Sequence, residues 1–360
     1  MTLNAAKRQP LVGWWLVAIC VCVLAMVMVG GATRLTHSGL SITQWNLEKG
    51  LAPPLTAARW NEEFRLYQRT TEYQVQNRGM SMAQFQYIYW WEWTHRFIGK
   101  MIGLVFAIPF FGFWATGRLQ GRFWPVLGLF ALGGLQGFVG WWMVTSGLFG
   151  RLEVSPERLA THLGIAFCIL AVALWLALDA FGWTAKGAKL GAPKWAPALL
   201  LALIFVQVMF GALLAGDHGG LAYTDWPTIG RQWIPDSAFR LQPWFANFSE
   251  NHATQQLMHR TTGYIVALSA LSIAALAWRR GDGHAQALGM GLGAAALLQM
   301  GLGIVTLISV TPLPLALAHQ LGAALLWLTA VATLRAVTTT GGNILPPSEV
   351  LETKREFAPT

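Results

Sequence analysis

The chain has 360 residues, of which 54% are hydrophobic and only 11% charged, with 19 Trp, 38 Gly and a mean hydropathy of +0.45. A soluble domain of this length needs charged cover that such a composition denies it, whereas spans buried in a bilayer need none. The net charge of +9 collects at Lys7–Arg8 and in the segments 118–122, 186–194, 279–280 and 335–355, between or beyond apolar runs, which is the pattern of a positive-inside topology and excludes a nucleic-acid surface.

Apolar runs long enough to cross a bilayer, about 20 residues each, lie near 11–32, 93–115, 123–145, 159–181, 196–216, 255–278, 285–308 and 314–336. They predict an all-α integral membrane protein with eight transmembrane helices and both termini in the cytoplasm. Lys7 and Arg8 precede the first run, and no small-residue cleavage site ends it, so it is expected to stay as a span. Cys20 and Cys22 point about 200° apart on a helix, which excludes a metal pair; with Cys168 they read as small buried hydrophobes. The segments 34–91 and 217–253 face outward and are rich in Trp, Tyr and Pro, as ordered caps at the interface would be. Gly99/Gly103, Gly133/Gly137 and Gly289/Gly293, spaced by four, predict close helix contacts. The G-x-G-x-G run at 289–293 follows no strand, so it is no dinucleotide fingerprint. The stretch 338–360 reads as a disordered cytoplasmic tail.

The two halves repeat each other. Residues 37–45, His-Ser-Gly-Leu-Ser-Ile-Thr-Gln-Trp, match residues 218–226, His-Gly-Gly-Leu-Ala-Tyr-Thr-Asp-Trp. Glu92-Trp-Thr-His95-Arg96-Phe-Ile-Gly99 matches Gln256-Leu-Met-His259-Arg260-Thr-Thr-Gly263. Leu135-Gln136 echoes Leu298-Gln299, and His162 with Ala166 echoes His319 with Ala323. Four landmarks recurring in one order predict two pseudo-symmetric four-helix bundles, residues 1–182 and 183–337.

His95, His162, His259 and His319 each fall in the first turns of an even-numbered span, hence near one outer depth. A polar residue in a span is costly and marks a site. Two imidazoles facing each other across a bundle suit an iron macrocycle, one per half. Copper is a weaker alternative. A di-iron hydroxylase needs densely spaced histidines, and zinc needs nearby Cys or carboxylates, neither of which is present. Glu92 shares the face of His95 one turn away, while the matching residue is Gln256. It reads equally as a proton-handling carboxyl beside a macrocycle or as a structural partner of Arg96 or Lys100. Arg96 and Arg260 read either as snorkelling side chains or as charge partners for propionates. His37 and His218 read as fold-specific hydrogen bonders, and His284 as a solvated loop residue.

The run from Ile88 through Glu92, His95 and Arg96 to Gly99 and Lys100 resembles the helix-2 signature of heme A synthases, the subgroup of mitochondria and related bacteria. Trp45 through Pro53-Pro54, and Trp60 to Tyr67, resemble that family's first outward segment; Asn247 to Asn251 with Gln256 to Arg260 resemble its helix-6 entrance. The resemblance covers nearly the whole chain. It implies oxidation of a ring methyl of heme O to a formyl group, giving heme A for cytochrome c oxidase. It further implies that His95 and His162 hold the substrate heme, that Glu92 is catalytic, and that His259 and His319 ligate a resident heme b, with Arg260 beside it. A bacterial inner membrane, lipid contact, and partners such as a heme O synthase and oxidase assembly factors follow from the same resemblance. The chain departs from the family in lacking its outward cysteine pair, in Lys100 for Arg, and in Asn46-Leu47 for a basic-Pro pair. Two rival readings remain. A diheme b-type electron carrier linked to quinol oxidation leaves the lone Glu92 unexplained. A repeat-built transporter would want inverted repeats and a site at the midplane.

Overall fold

A computed structural model describes residues 8–44, 52–148, 150–183 and 189–338. The sequence expectations for Trp45, Asn46, Leu47 and the tail from 339 onward lie outside these residues. Among these residues eleven α-helices follow in order: α1 (Pro10–Leu35), α2 (Ala57–Tyr67), α3 (Thr71–Val75), α4 (Met82–Ala115), α5 (Phe123–Thr145), α6 (Pro156–Ala180), α7 (Ala196–Gly216), α8 (Asn247–Glu250), α9 (His252–Arg280), α10 (Gly283–Ile308) and α11 (Leu313–Thr338). Eight of them, α1, α4–α7 and α9–α11, are long and apolar enough to cross a membrane, so this is a multi-pass membrane protein. No strand occurs among the described residues.

The spans sit where hydropathy puts them except at the start of α4, which begins eleven residues before the predicted 93. Ser81 caps it reciprocally with Gln84, and the added turns carry Gln, Tyr and Trp, which window hydropathy discounts. At 1.5 Å per residue its 34 residues reach about 50 Å, well beyond a hydrocarbon core of about 30 Å, so its first turns stand outside. His95 therefore lies in the fourth turn of its helix, deeper than the first turns expected, whereas His162, His259 and His319 lie in the second or third turns of theirs.

Helix contacts close two rings. Helix α1 packs on α4 and α6, and α5 on α4 and α6; α7 packs on α9 and α11, and α10 on α9 and α11. The rings meet through α6 on α7, α1 on α11, and α6 on α11. Val12, Leu16, Phe167, Leu170, Ile204, Leu292 and Trp327 fill the shared apolar core. Of the small-residue pairs, only Gly289/Gly293 makes the close contact expected, against Ala274 and Ala277 of α9. Gly103, Gly133 and Gly137 meet nothing within 4 Å, and Gly99 meets only Met26. Spacing by four fixes a face, not which neighbour that face meets.

Both outward segments are ordered over their described residues. The first folds α2, α3 and the start of α4 around Tyr67, Phe85, Ile88 and Tyr89, with Trp60, Phe64 and Tyr73 packed outside. The second is pinned by Asp225, whose carboxylate accepts the N–H groups of Gly230 and Arg231 and the hydroxyl of Thr228. Asn247 and Asn251 close its far end, the latter capping α9. Cys20 is buried in the core, and Cys22 and Cys168 are partly buried.

Candidate functional site

Each of the four intramembrane histidines faces a glycine on the preceding span. A Cβ built at Gly30 of α1 would lie 2.9 Å from Cε1 of His95, at Gly140 of α5 2.9 Å from His162, at Gly211 of α7 3.0 Å from His259, and at Gly303 of α10 2.8 Å from His319. All four contacts fall below ordinary van der Waals spacing, so a side chain there would push the imidazole aside. The neighbouring Gly31 serves a second contact: it admits Gln320 of α11, whose Nε2 donates to the Val27 carbonyl at 2.7 Å.

The imidazoles differ in their partners. Gln207 Nε2 lies 3.1 Å from Nδ1 of His259, and Gln299 Nε2 lies 3.0 Å from Nδ1 of His319 and 2.9 Å from its carbonyl. Gln136 Nε2 approaches Nε2 of His162 at 3.3 Å. The Nδ1 atoms of His95 and His162 are buried without a hydrogen-bond partner. The rings of His259 and His319 stand 6.5 Å apart between centroids at 80°. Two metal–imidazole bonds of about 2 Å each, plus the ring radii, span about 6 Å, so one metal atom fits between that pair. Orphaned imidazole nitrogens and glycine cradles on the facing helices likewise fit a flat group clasped between histidines.

Glu92 is only 2% exposed and holds three donors: Ser41 Oγ at 2.8 Å and the Ile42 N–H at 2.6 Å on Oε2, and Arg96 Nη2 at 2.5 Å on Oε1. Arg96 also donates to the carbonyls of Ile42 and Gln44. The matching Gln256 donates to the carbonyls of Gly219 and Tyr223, and its Oε1 accepts from Arg260 Nε at 2.8 Å. Arg260 in turn donates to the carbonyls of Asp225 and Thr228. Carboxylate and amide thus perform one shared task, tying the outward loop to the helix that carries the histidine. The charge at Glu92 is what remains unmatched.

His37 and His218 end α1 and α7 with left-handed backbones (φ 51° and 52°), and their rings stack at 5.2 Å. Both reach Glu153 from the α5–α6 connection, Nδ1 of His37 at 3.3 Å and Nε2 of His218 at 2.5 Å. The three ligand atoms lie within 4.8 Å of one another, as in a metal site. Arg34 already fills the cationic role there, 2.5 Å from Glu153 and 2.8 Å from His218, with further bonds to the carbonyls of Ala215 and Gly216. Burial alone would raise the Glu153 carboxyl, but hydrogen bonds from His218 and His37 and the charge of Arg34 hold it well below the usual carboxylate range. The cluster is an ion-pair knot at the outer junction of the two rings. A hollow of about 610 Å³ beside it is lined by His37, Asn77, Tyr87 and Ile88 and by none of the four intramembrane histidines.

Sequence reasoning missed Gln207, the four facing glycines and the Arg34–Glu153 knot. Aligning the repeats would have exposed the glycines: Gly30 and Gly211 stand equally far before His37 and His218, and Gly140 and Gly303 each follow the paired Gln136 and Gln299 by four.

Comparison with known proteins follows the same lines. The family profile described as cytochrome oxidase assembly protein matches residues 13–331. A heme A synthase of Maricaulis maris is 44% identical over 333 residues, covering 92% of this chain and 97% of that one. Heme A synthases of Parvibaculum lavamentivorans and Allorhizobium ampelinum are 45% and 46% identical, covering 87% and 89% of this chain and 90% and 89% of theirs.

Proposed function

The chain belongs to the cytochrome oxidase assembly protein family, and on that premise we propose that it is a heme A synthase, a membrane oxidoreductase that converts a ring methyl of heme O to the formyl group of heme A. Near-complete, mid-forties identity to several heme A synthases is the observation that carries this reading. The geometry supports it by giving every intramembrane histidine a glycine-cleared face.

We assign the substrate heme O to His95 and His162 in a first unit, 1–182, and a resident heme b to His259 and His319 in a pseudo-symmetric second unit, 183–337. A resident heme b, when bound, supplies one-electron transfer. The unpartnered Nδ1 atoms of His95 and His162 leave those rings less firmly fixed, which suits residues that take up and release a ligand. Glu92 is the catalytic carboxylate in this assignment: oxidising a methyl group releases protons, and Glu92 Oε1 and Oε2, one turn from His95, are the acceptor. Arg96 and Ser41 hold that carboxylate in place. Arg96 and Arg260 act first by fixing the loops over the sites and add positive charge where propionates would emerge. The basic connections α4–α5, α6–α7 and α9–α10 alternate with the outward segments, which supports both termini being cytoplasmic, and the bacterial relatives support an inner-membrane location. A heme O synthase and oxidase assembly factors are the partners this activity requires.

Pigment extraction tests the reading. The purified chain is expected to yield heme b with heme O and its oxidised derivatives; heme b alone would point to an electron carrier instead. Glu92→Gln keeps the loop bond to Ile42 in reach and removes the charge. It is expected to retain heme while heme A output falls by about 100-fold or more. Full output from that variant would leave Glu92 a purely structural role.

A further inference from the structure

Gln207 and Met26 occupy matching places in the two halves. Each lies four residues before the glycine that faces a histidine, Gly211 opposite His259 and Gly30 opposite His95. Each also reaches the glycine four residues beyond that histidine: a Cβ at Gly263 would lie 3.1 Å from Gln207 Nε2, and one at Gly99 3.0 Å from Met26 Cε. One position therefore carries an amide in the second half and a thioether in the first. The Gln207 amide lies 3.1 Å from Nδ1 of His259 and 3.4 Å from its Nε2, nearer the former, whereas Nδ1 of His95 is buried with no partner.

We propose that this position decides how firmly its histidine is held: Gln207 fixes His259 as a permanent iron ligand, and Met26 leaves His95 free to take up and release a substrate heme. The inference rests on the heme assignments made above. An imidazole bound to iron through Nε2 carries its proton on Nδ1, and a hydrogen-bond acceptor there fixes the ring and makes it a stronger ligand. Oε1 of Gln207 is buried without a partner, so turning the amide about its last bond places a carbonyl beside Nδ1 and satisfies both groups. A thioether is a weak acceptor on a flexible chain and does neither. Gln136 and Gln299 stand at matching places in both halves, so residue type there does not separate them, although Gln299 meets Nδ1 of His319 at 3.0 Å and Gln136 meets Nε2 of His162 at 3.3 Å.

The test uses the full chain purified in detergent with its bound heme, the variants Gln207→Met, Gln207→Glu and Met26→Gln, and His259→Ala to mark which absorbance belongs to the second site. Heme transfer to excess apomyoglobin and the midpoint potential are both followed in the visible spectrum. Gln207→Met is expected to release the His259-dependent heme about tenfold faster or more and to raise its midpoint, because a less basic ligand favours ferrous iron. Gln207→Glu, which keeps an acceptor, should hold the heme nearly as well as the native chain. Met26→Gln should slow release from the first site by a similar factor. Unchanged release and potential in Gln207→Met, or equal loss in the Met and Glu variants, overturns the inference. Heme absorbance unchanged by His259→Ala would instead remove the site assignment on which it stands.

Discussion

Glu72 is a carboxyl only 2% exposed beneath the outer aromatic cluster, with Tyr67 donating to it at 3.1 Å and Asn77 donating to Tyr67 at 2.7 Å. Burial pushes its pKa up from 4.5 to about 7; the Tyr67 hydrogen bond opposes this and the Glu92 charge adds to it. A folded-state pKa above the unfolded value means that the stability it brings is complete below the unfolded pKa and is lost as pH rises through the folded one. The loss by pH 8 is on the order of 3 kcal/mol. Glu72→Gln, neutral at every pH, is expected to flatten the fall in thermal midpoint between pH 5 and pH 8. A variant that keeps the native slope would show that another group governs it. At this scale the sequence told only part. Glu92 stood out because Gln256 replaces it in the repeat, but its partners Ser41 and Ile42 lie some fifty residues away, beyond any helical spacing rule. Gln207 stayed hidden for a related reason: a lone glutamine in an apolar run reads as noise until the helix carrying His259 is laid against it.

Helices were legible as elements because lipid demands long apolar runs with every backbone group paired internally. Helix α4 shows where that legibility ends. Pro109 sits inside it and removes the N–H that would bond the Val105 carbonyl. Trp15 of α1 fills the gap, its Nε1 donating to Val105 O at 3.0 Å. A proline and a tryptophan on different spans thus repair one ladder bond, and no pattern within either span foretells it. Trp15→Phe keeps an aromatic ring beside Phe106 and Phe113, which meet Trp15 tilted and edge-on, and removes the donor. It is expected to cost about 1–2 kcal/mol of stability, the penalty of a carbonyl left unpaired in an apolar setting. In a Pro109→Ala background the backbone supplies its own N–H, and the same change should cost markedly less. Equal costs in the two backgrounds, measured by reversible unfolding in mixed micelles, would show that the indole acts through packing alone.

Across the whole molecule, the recurrence of four landmarks led to an expectation of two four-helix groups, and the helix contacts run α1–α4–α5–α6 and α7–α9–α10–α11. How the rings are fastened was not readable, since the basic residues that signal topology also serve as clamps. Asp179 near the end of α6 receives Arg122 Nε from the start of α5 at 2.7 Å and Arg335 Nη2 from α11 at 3.1 Å. A negative charge at a helix C-terminus opposes the macrodipole, so its placement is explained by the two cations it joins. Arg122 and Arg335 are 3% and 6% exposed, and Arg335 also lies over the Trp175 ring. Asp179→Asn preserves size but removes the carboxylate charge that two buried guanidinium groups share. The cost is expected to be on the order of 2 kcal/mol, below that of breaking a fully buried pair because the carboxylate is 40% exposed. His162 lies about 25 Å up the same helix, so the bound-heme spectrum should be unchanged at room temperature while the thermal midpoint falls. An unaltered midpoint would show that the clamp adds nothing, and heme loss at room temperature would show that the inner junction sets the geometry of the outer one.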